Sequence, residues 1–113
     1  MLDNELVKDI SSVISVARRT GKHVHLVCQT RDLSACRKIL IGCSPRETSH
    51  LKGVASYPDG SKVSLCTLDD LPPRDTAFEV YFIEGSTPLT PDESKKRRTW
   101  RDAATALLSI NMG

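Results

Sequence analysis

His23 to Cys28 is a short run, apolar enough to be buried on both faces, set between two stretches of helical periodicity. A strand of this kind needs neighbours in a sheet and cover above and below it. Upstream, Leu6, Ile10, Val13, Ile14 and Ala17 recur at helical spacing after the capping candidates Asp3 and Asn4. Arg18 and Arg19 occupy the last turn before Gly21, which predicts the end of a first helix there. Downstream, Thr30 is placed to cap a second helix with Leu33, Cys36 and Leu40 on its inner face, ended by Gly42 and Pro45. His23 to Ile41 therefore reads as the start of a β-α-β crossover.

Ser44 to His50 is polar and predicts a loop. Leu51 to Tyr57 and Lys62 to Leu68 then flank Pro58-Asp59-Gly60, the signature of a hairpin. Asp69 to Asp75 contains a double proline and reads as irregular, whereas Ala77 to Ile83 has the aromatic and β-branched content of a further strand. After the connection Glu84 to Leu89, Thr90, Pro91 and Glu93 supply the N-cap, first-turn proline and capping-box acid of a last helix. Trp100, Ala103, Ala104 and Leu107 form its inner stripe. The expectation is an α/β (or α+β) fold in the order α-β-α-β-β-β-α, with a mixed sheet containing one hairpin and packed by three helices. At 113 residues the chain reads as one globular domain over residues 1–113, burying about two thirds of its unfolded surface.

Charge is unevenly spread. Residues 1–93 carry 11 Lys/Arg against 13 Asp/Glu, whereas residues 94–113 carry five against one. The positive side chains are Lys95, Lys96, Arg97, Arg98 and Arg101. By helical geometry Lys95, Arg98 and Arg101 fall together opposite Trp100, and Lys96 and Arg97 flank the apolar stripe with their long stems. Cations near a helix start oppose its dipole, which Asp92 and Glu93 offset only in part, so local helix stability does not account for the cluster. A charge run on a helix is commonly a solvated face; the competing reading is a contact surface for phosphates or an acidic protein patch.

Other chemistries fit the sequence less well. Met1 leads into Asp3, Asn4 and Glu5 without a basic segment or a continuous apolar run, so no secretory signal or membrane span is expected and the location reads as cytoplasmic. Cys28, Cys36, Cys43 and Cys66 form no Cys-x-x-Cys pair and read as small core side chains. His23 and His25 point to one face of their strand, but no second pair completes a zinc set with His50 or the cysteines, so no metal or cofactor is expected. Cys43 beside His50 follows a helix end, where the dipole disfavours a thiolate; Cys28 or Cys66 near His25 is an alternative dyad.

His23 to Thr30 and Phe78 to Glu84, apolar strands with Glu84 closing the second, resemble the magnesium-positioning strand of helicase-like phosphate-loop NTPases. Thr20-Gly21-Lys22-His23 precedes its strand, however, and has histidine where that family binds magnesium, so the phosphate cradle is missing. A parallel sheet would place a ligand crevice at Gln29, Thr30, Arg31 and Glu84 to Thr87. The last helix, with Lys96 and Arg97 ahead of Ala103-Ala104, resembles the closing helix of a double-stranded-RNA-binding domain over under a fifth of the chain. The extra β-α unit departs from that family's order, so its RNA contacts do not carry over.

The functional expectation is a small non-enzymatic binding protein whose basic last helix contacts nucleic-acid backbone. The alternatives are a protein-interaction module, inhibitor or adaptor, that binds an acidic partner surface, and an enzyme with an unrecognised site.

Overall fold

The computed structural model describes residues 4–49, 53–73, 78–85 and 87–112, with the backbone alone from residue 105 onward. Helix α1 spans Asn4–Thr20, strand β1 His23–Cys28 and helix α2 Leu33–Cys43. Strands β2 (Thr48–Ser49), β3 (Val54–Ser56), β4 (Lys62–Thr67) and β5 (Glu79–Phe82) follow, and helix α3 runs over Pro91–Met112. Three helices and a mixed five-stranded sheet form an α+β fold, with the strands in the order β2-β3-β4-β1-β5.

β1 lies between two parallel partners. His23 to Cys28 runs in register with Lys62 to Thr67 on one side, and Val24 to Val27 with Glu79 to Phe82 on the other. The hairpin read from Pro58-Asp59-Gly60 is present, with Val54 to Ser56 antiparallel to Ser64 to Lys62. Its turn is closed by Asp59, whose Oδ1 accepts from both the amide (3.0 Å) and the hydroxyl (2.6 Å) of Ser61.

Alternation along β1 divides the interior. Val24, Leu26 and Cys28 face one layer, where Ile10, Val13 and Ala17 of α1 and Cys36, Ile39 and Leu40 of α2 cover them. Val27 faces the other layer with Leu68, Phe78, Trp100 and Ala104. Trp100 is 1% exposed, and its Nε1–H donates to the carbonyl of Asp70 at 3.1 Å. That bond ties α3 to the start of the connection that follows β4.

Several local expectations change. Thr30 does not cap α2; it opens a single 3-10 turn, Thr30–Asp32, and its hydroxyl is hydrogen-bonded to the carboxylate of Asp69. α2 continues through Gly42 and ends at Cys43, with the Ser44 amide bonded to the Leu40 carbonyl at 3.1 Å. The expected loop Ser44 to His50 contains β2, because the amide of Ser56 reaches the Glu47 carbonyl at 3.0 Å and Thr48 pairs with Ala55. Two polar residues are too few to show a strand period. Gly21 does end α1: it adopts φ +69°, which a side chain would resist, and its amide reaches the Ala17 carbonyl at 2.8 Å. His50, Leu51, Ala77 and the side chain of Leu107 lie outside the described residues.

Replacing Trp100 by Ala removes the largest side chain of the second layer and the bond to Asp70, and should cost about 3–5 kcal/mol of stability in urea unfolding. An unchanged unfolding midpoint would show that the layer does not depend on the indole.

Candidate anion-binding interface

The carboxyl ends of β1 and β5 meet the amino end of α3, and polar side chains are concentrated there. Thr90 and Glu93 form the reciprocal capping box: the Glu93 carboxylate accepts from the Thr90 amide at 3.0 Å, and the Thr90 hydroxyl accepts from the Glu93 amide at 3.1 Å. Arg31 crosses from the end of β1 to this cap, with Nε–H donating to the Thr87 hydroxyl at 2.6 Å and Nη2 3.3 Å from Glu93. The Thr90 amide, and then Arg31, hold the Glu93 carboxyl below its ordinary range.

Beneath this bridge Gln29 is 1% exposed and donates through Nε2 to the Thr87 carbonyl at 3.2 Å. Gly85 lies against it so closely that a β-carbon there would sit 2.2 Å from Gln29 Oε1 and 2.8 Å from Asp32 Oδ2. The residues expected to line a ligand crevice therefore separate. Gln29 and Glu84 share a depression of about 320 Å3 with Thr87, Leu89 and Arg97. Thr30 turns away to Asp69 and Arg31 is engaged by Thr87 and Glu93, so these two act in joining elements of the fold.

The five cations of α3 also separate. Lys96 bends back onto Asp69 (2.5 Å) and Asp92 (3.2 Å), and these carboxylates raise its pKa. Lys95 and Arg98 are exposed. Arg97 and Arg101, one helical turn apart, both lie over the ring of Phe82 on β5, with guanidinium carbons 4.8 and 5.7 Å from its centroid. Arg101 thus leaves the outer face expected for Lys95, Arg98 and Arg101, because the half-buried Phe82 offers its long side chain an apolar surface to lie on. Arg97 Nη2 is 3.8 Å from Glu84, whereas its shielded Nε has no acceptor among the described residues. Arg97, Arg98 and Arg101 line one depression of about 400 Å3 with Leu89 and Ser94.

A second polar group lies on the α3 side of the sheet, where the strand period places His23, His25, Ser64 and Cys66 together. His23 Nε2 is 2.6 Å from the Ser64 hydroxyl, and His25 Nδ1 is 3.5 Å from Cys66 Sγ. The two imidazoles stack at 4.5 Å, and His25 also meets the rings of Phe78 and Trp100. The thiol-imidazole pairing read as an alternative from the sequence is therefore formed through Cys66. Burial, then the charge of His23, pushes His25 down to about 4, while burial, then Asp70, pushes the Cys66 thiol up to about 11. At neutral pH both groups are uncharged, which is the opposite of an activated thiolate-imidazolium pair.

Among the cysteines, Cys28 and Cys36 are buried as expected, but Cys43 is exposed, with Sγ 3.5 Å from the Ser11 hydroxyl. No three His, Cys, Asp or Glu residues are gathered as a metal site among the described residues. No described helix is long and apolar enough to cross a membrane. No protein-family model, curated protein or solved structure matches the chain.

The geometry that sequence reading missed is the meeting of Arg97 and Arg101 at Phe82. Their i, i+4 spacing was the available signal, but it names no partner strand.

Two outcomes test this description. Gly85→Ala should lower stability by about 1–3 kcal/mol, read as a lower thermal midpoint, because Gln29 has little room to move. His25 is held neutral below its ordinary value of 6.5, so its contribution is complete above that pH and is lost as pH falls toward about 4, where the unfolded chain takes up the proton first. His25→Phe should flatten the pH dependence of the urea midpoint across that window; an unchanged slope would place the titrating group elsewhere.

Proposed function

We propose that this chain is a non-enzymatic binding protein whose α3 shelf of Arg97, Arg98 and Arg101 holds an acidic protein segment. The observation that carries the reading is the convergence of these three guanidinium-bearing side chains on one depression. An anionic partner would meet the guanidinium groups that line this depression, where hydrogen bonds between charged groups are stronger than neutral ones.

An acidic protein segment fits this shelf better than a phosphate backbone. Lys96 is already neutralised by Asp69 and Asp92, and Glu84 and the exposed Asp102 lie close in sequence or space to the remaining cations. A duplex binder benefits from a wide field of one sign, and these carboxylates interrupt it. Phe82 lies under two arginines, so its ring is not free to stack on a base. Leu89 beside the arginines supplies the apolar contact that protein partners use. The neutral Cys66-His25 pair supports a binding role over nucleophilic catalysis.

Arg98→Ala combined with Arg101→Ala should weaken binding of a polyglutamate peptide by about tenfold or more in calorimetry at low salt, with Lys95→Ala near wild type. Tighter binding to duplex DNA or RNA than to the peptide, with a salt slope of about −0.9 per phosphate contact, would replace the acidic segment by a nucleic acid. Wild-type protein that binds neither would overturn the reading.

A further inference from the structure

β5 is the edge of the sheet beside the arginine shelf, and among the described residues it pairs with β1 alone. The Ile83 amide donates to the Val27 carbonyl at 2.9 Å, which fixes the direction of the backbone groups along the strand. Amide and carbonyl of one residue share a side of a strand and successive residues alternate, so Glu79, Tyr81 and Ile83 face β1. Val80 and Phe82 therefore turn their N–H and C=O groups to the open edge, where no backbone partner meets them among the described residues. Such a row is a template for an added strand.

The two flanks of this edge differ in chemistry. On the α3 side a depression of about 410 Å3 is bordered by Val80, Phe82, Arg101 and Ala104, and by Glu79, whose carboxylate is already paired with Lys22 at 3.0 Å. Arg97 and Arg98 adjoin Arg101 in the neighbouring depression. On the α1 side a depression of about 340 Å3 has Val13, Val16, Tyr81 and Ile83 as apolar lining, with Asp9 and Glu84 also bordering it. A strand laid along β5 sends successive side chains alternately into these two depressions. The first attracts carboxylates; the second repels them and accepts apolar groups.

We infer that the open edge of β5 takes up an extended peptide as a sixth strand, with acidic side chains toward α3 alternating with apolar side chains toward α1. The inference rests on the anion-binding reading and adds to it a backbone mode and a two-residue period. Charge complementarity selects this occupant over a second copy of the chain. Pairing β5 with β5 would bring the arginines of both copies together, and the acids that accompany the strand, Glu79 and Glu84, are already held by Lys22 and Arg97.

Two peptides of identical composition and charge separate the inference from simple attraction: one alternates Glu and Val, and the other carries the same residues as a Glu block followed by a Val block. The alternating peptide should bind about tenfold or more tightly in fluorescence anisotropy. It should also slow exchange of the Val80 and Phe82 amides while leaving that of Tyr81, already turned toward β1, nearly unchanged. Val80→Pro removes an outward amide without touching the β1 ladder, and should abolish the preference for the alternating peptide. If that variant does not fold, N-methylation of the alternating peptide at every second amide gives the same test on wild-type protein: one of the two methylation registers should abolish binding and the other should spare it.

Equal affinity for the two peptides without amide protection would overturn strand addition while leaving the acidic-segment reading intact. Concentration-dependent dimerisation that protects Val80 and Phe82 in the absence of peptide would overturn the choice of occupant. Failure of both peptides to bind would overturn both readings.

Discussion

The pairing of β1 with a parallel neighbour on each side is the interaction on which the molecule depends. Parallel neighbours require crossovers, and the chain makes two different ones. The first, from β1 to β4, is long enough to carry α2, β2 and β3 and covers one face with helix. The second, from β4 to β5, carries no helix among its described residues, so the second face is covered by α3 after β5 is complete. Trp100 joins these events, packing beside Val27 while bonding to Asp70 in the crossover. The indole takes up space between sheet and helix that small α3 residues such as Ala103 and Ala104 leave open.

The same arrangement creates the candidate interface. Because β5 is reached by a crossover and α3 comes after it, no strand among the described residues closes its outer side. The amino half of α3 is then held beside that edge by Arg31, Thr87 and Glu93. Arg97 and Arg101 follow the capping box by one and two turns, which places them over Phe82. A local helix-start motif thus sets where distant charge is presented, although the motif itself touches no partner.

The histidines on the sheet show how burial decides chemistry. A thiol 3.5 Å from an imidazole has the residue types of a nucleophile and its base. Desolvation by the surrounding layer acts on both in opposing directions, lowering the imidazole and raising the thiol, and each stays neutral. Packing with Phe78 and Trp100 makes His25 behave as a polar-tipped core residue.

Local patterns in the sequence carried most of the secondary structure. The stripe Leu6 to Ala17, the turn Pro58-Asp59-Gly60 and the capping box at Thr90 each act over a few residues, where spacing alone states which groups meet. Thr30 shows the limit: its side chain suits a cap, but a carboxylate 39 residues away offers a charged acceptor and takes its hydroxyl. Strand order, the openness of β5, the neutralisation of Lys96 by Asp69 and the seating of Arg101 on Phe82 all join residues far apart in the chain. Periodicity reports which face of an element is apolar, not which element covers that face. The sequence by itself therefore determined the three helices, the longer strands, their burial stripes and the place of the basic cluster, and only the tertiary structure decided the short strand β2, which cations converge and which strand edge stays unpaired, because those outcomes depend on contacts between elements that share no local pattern.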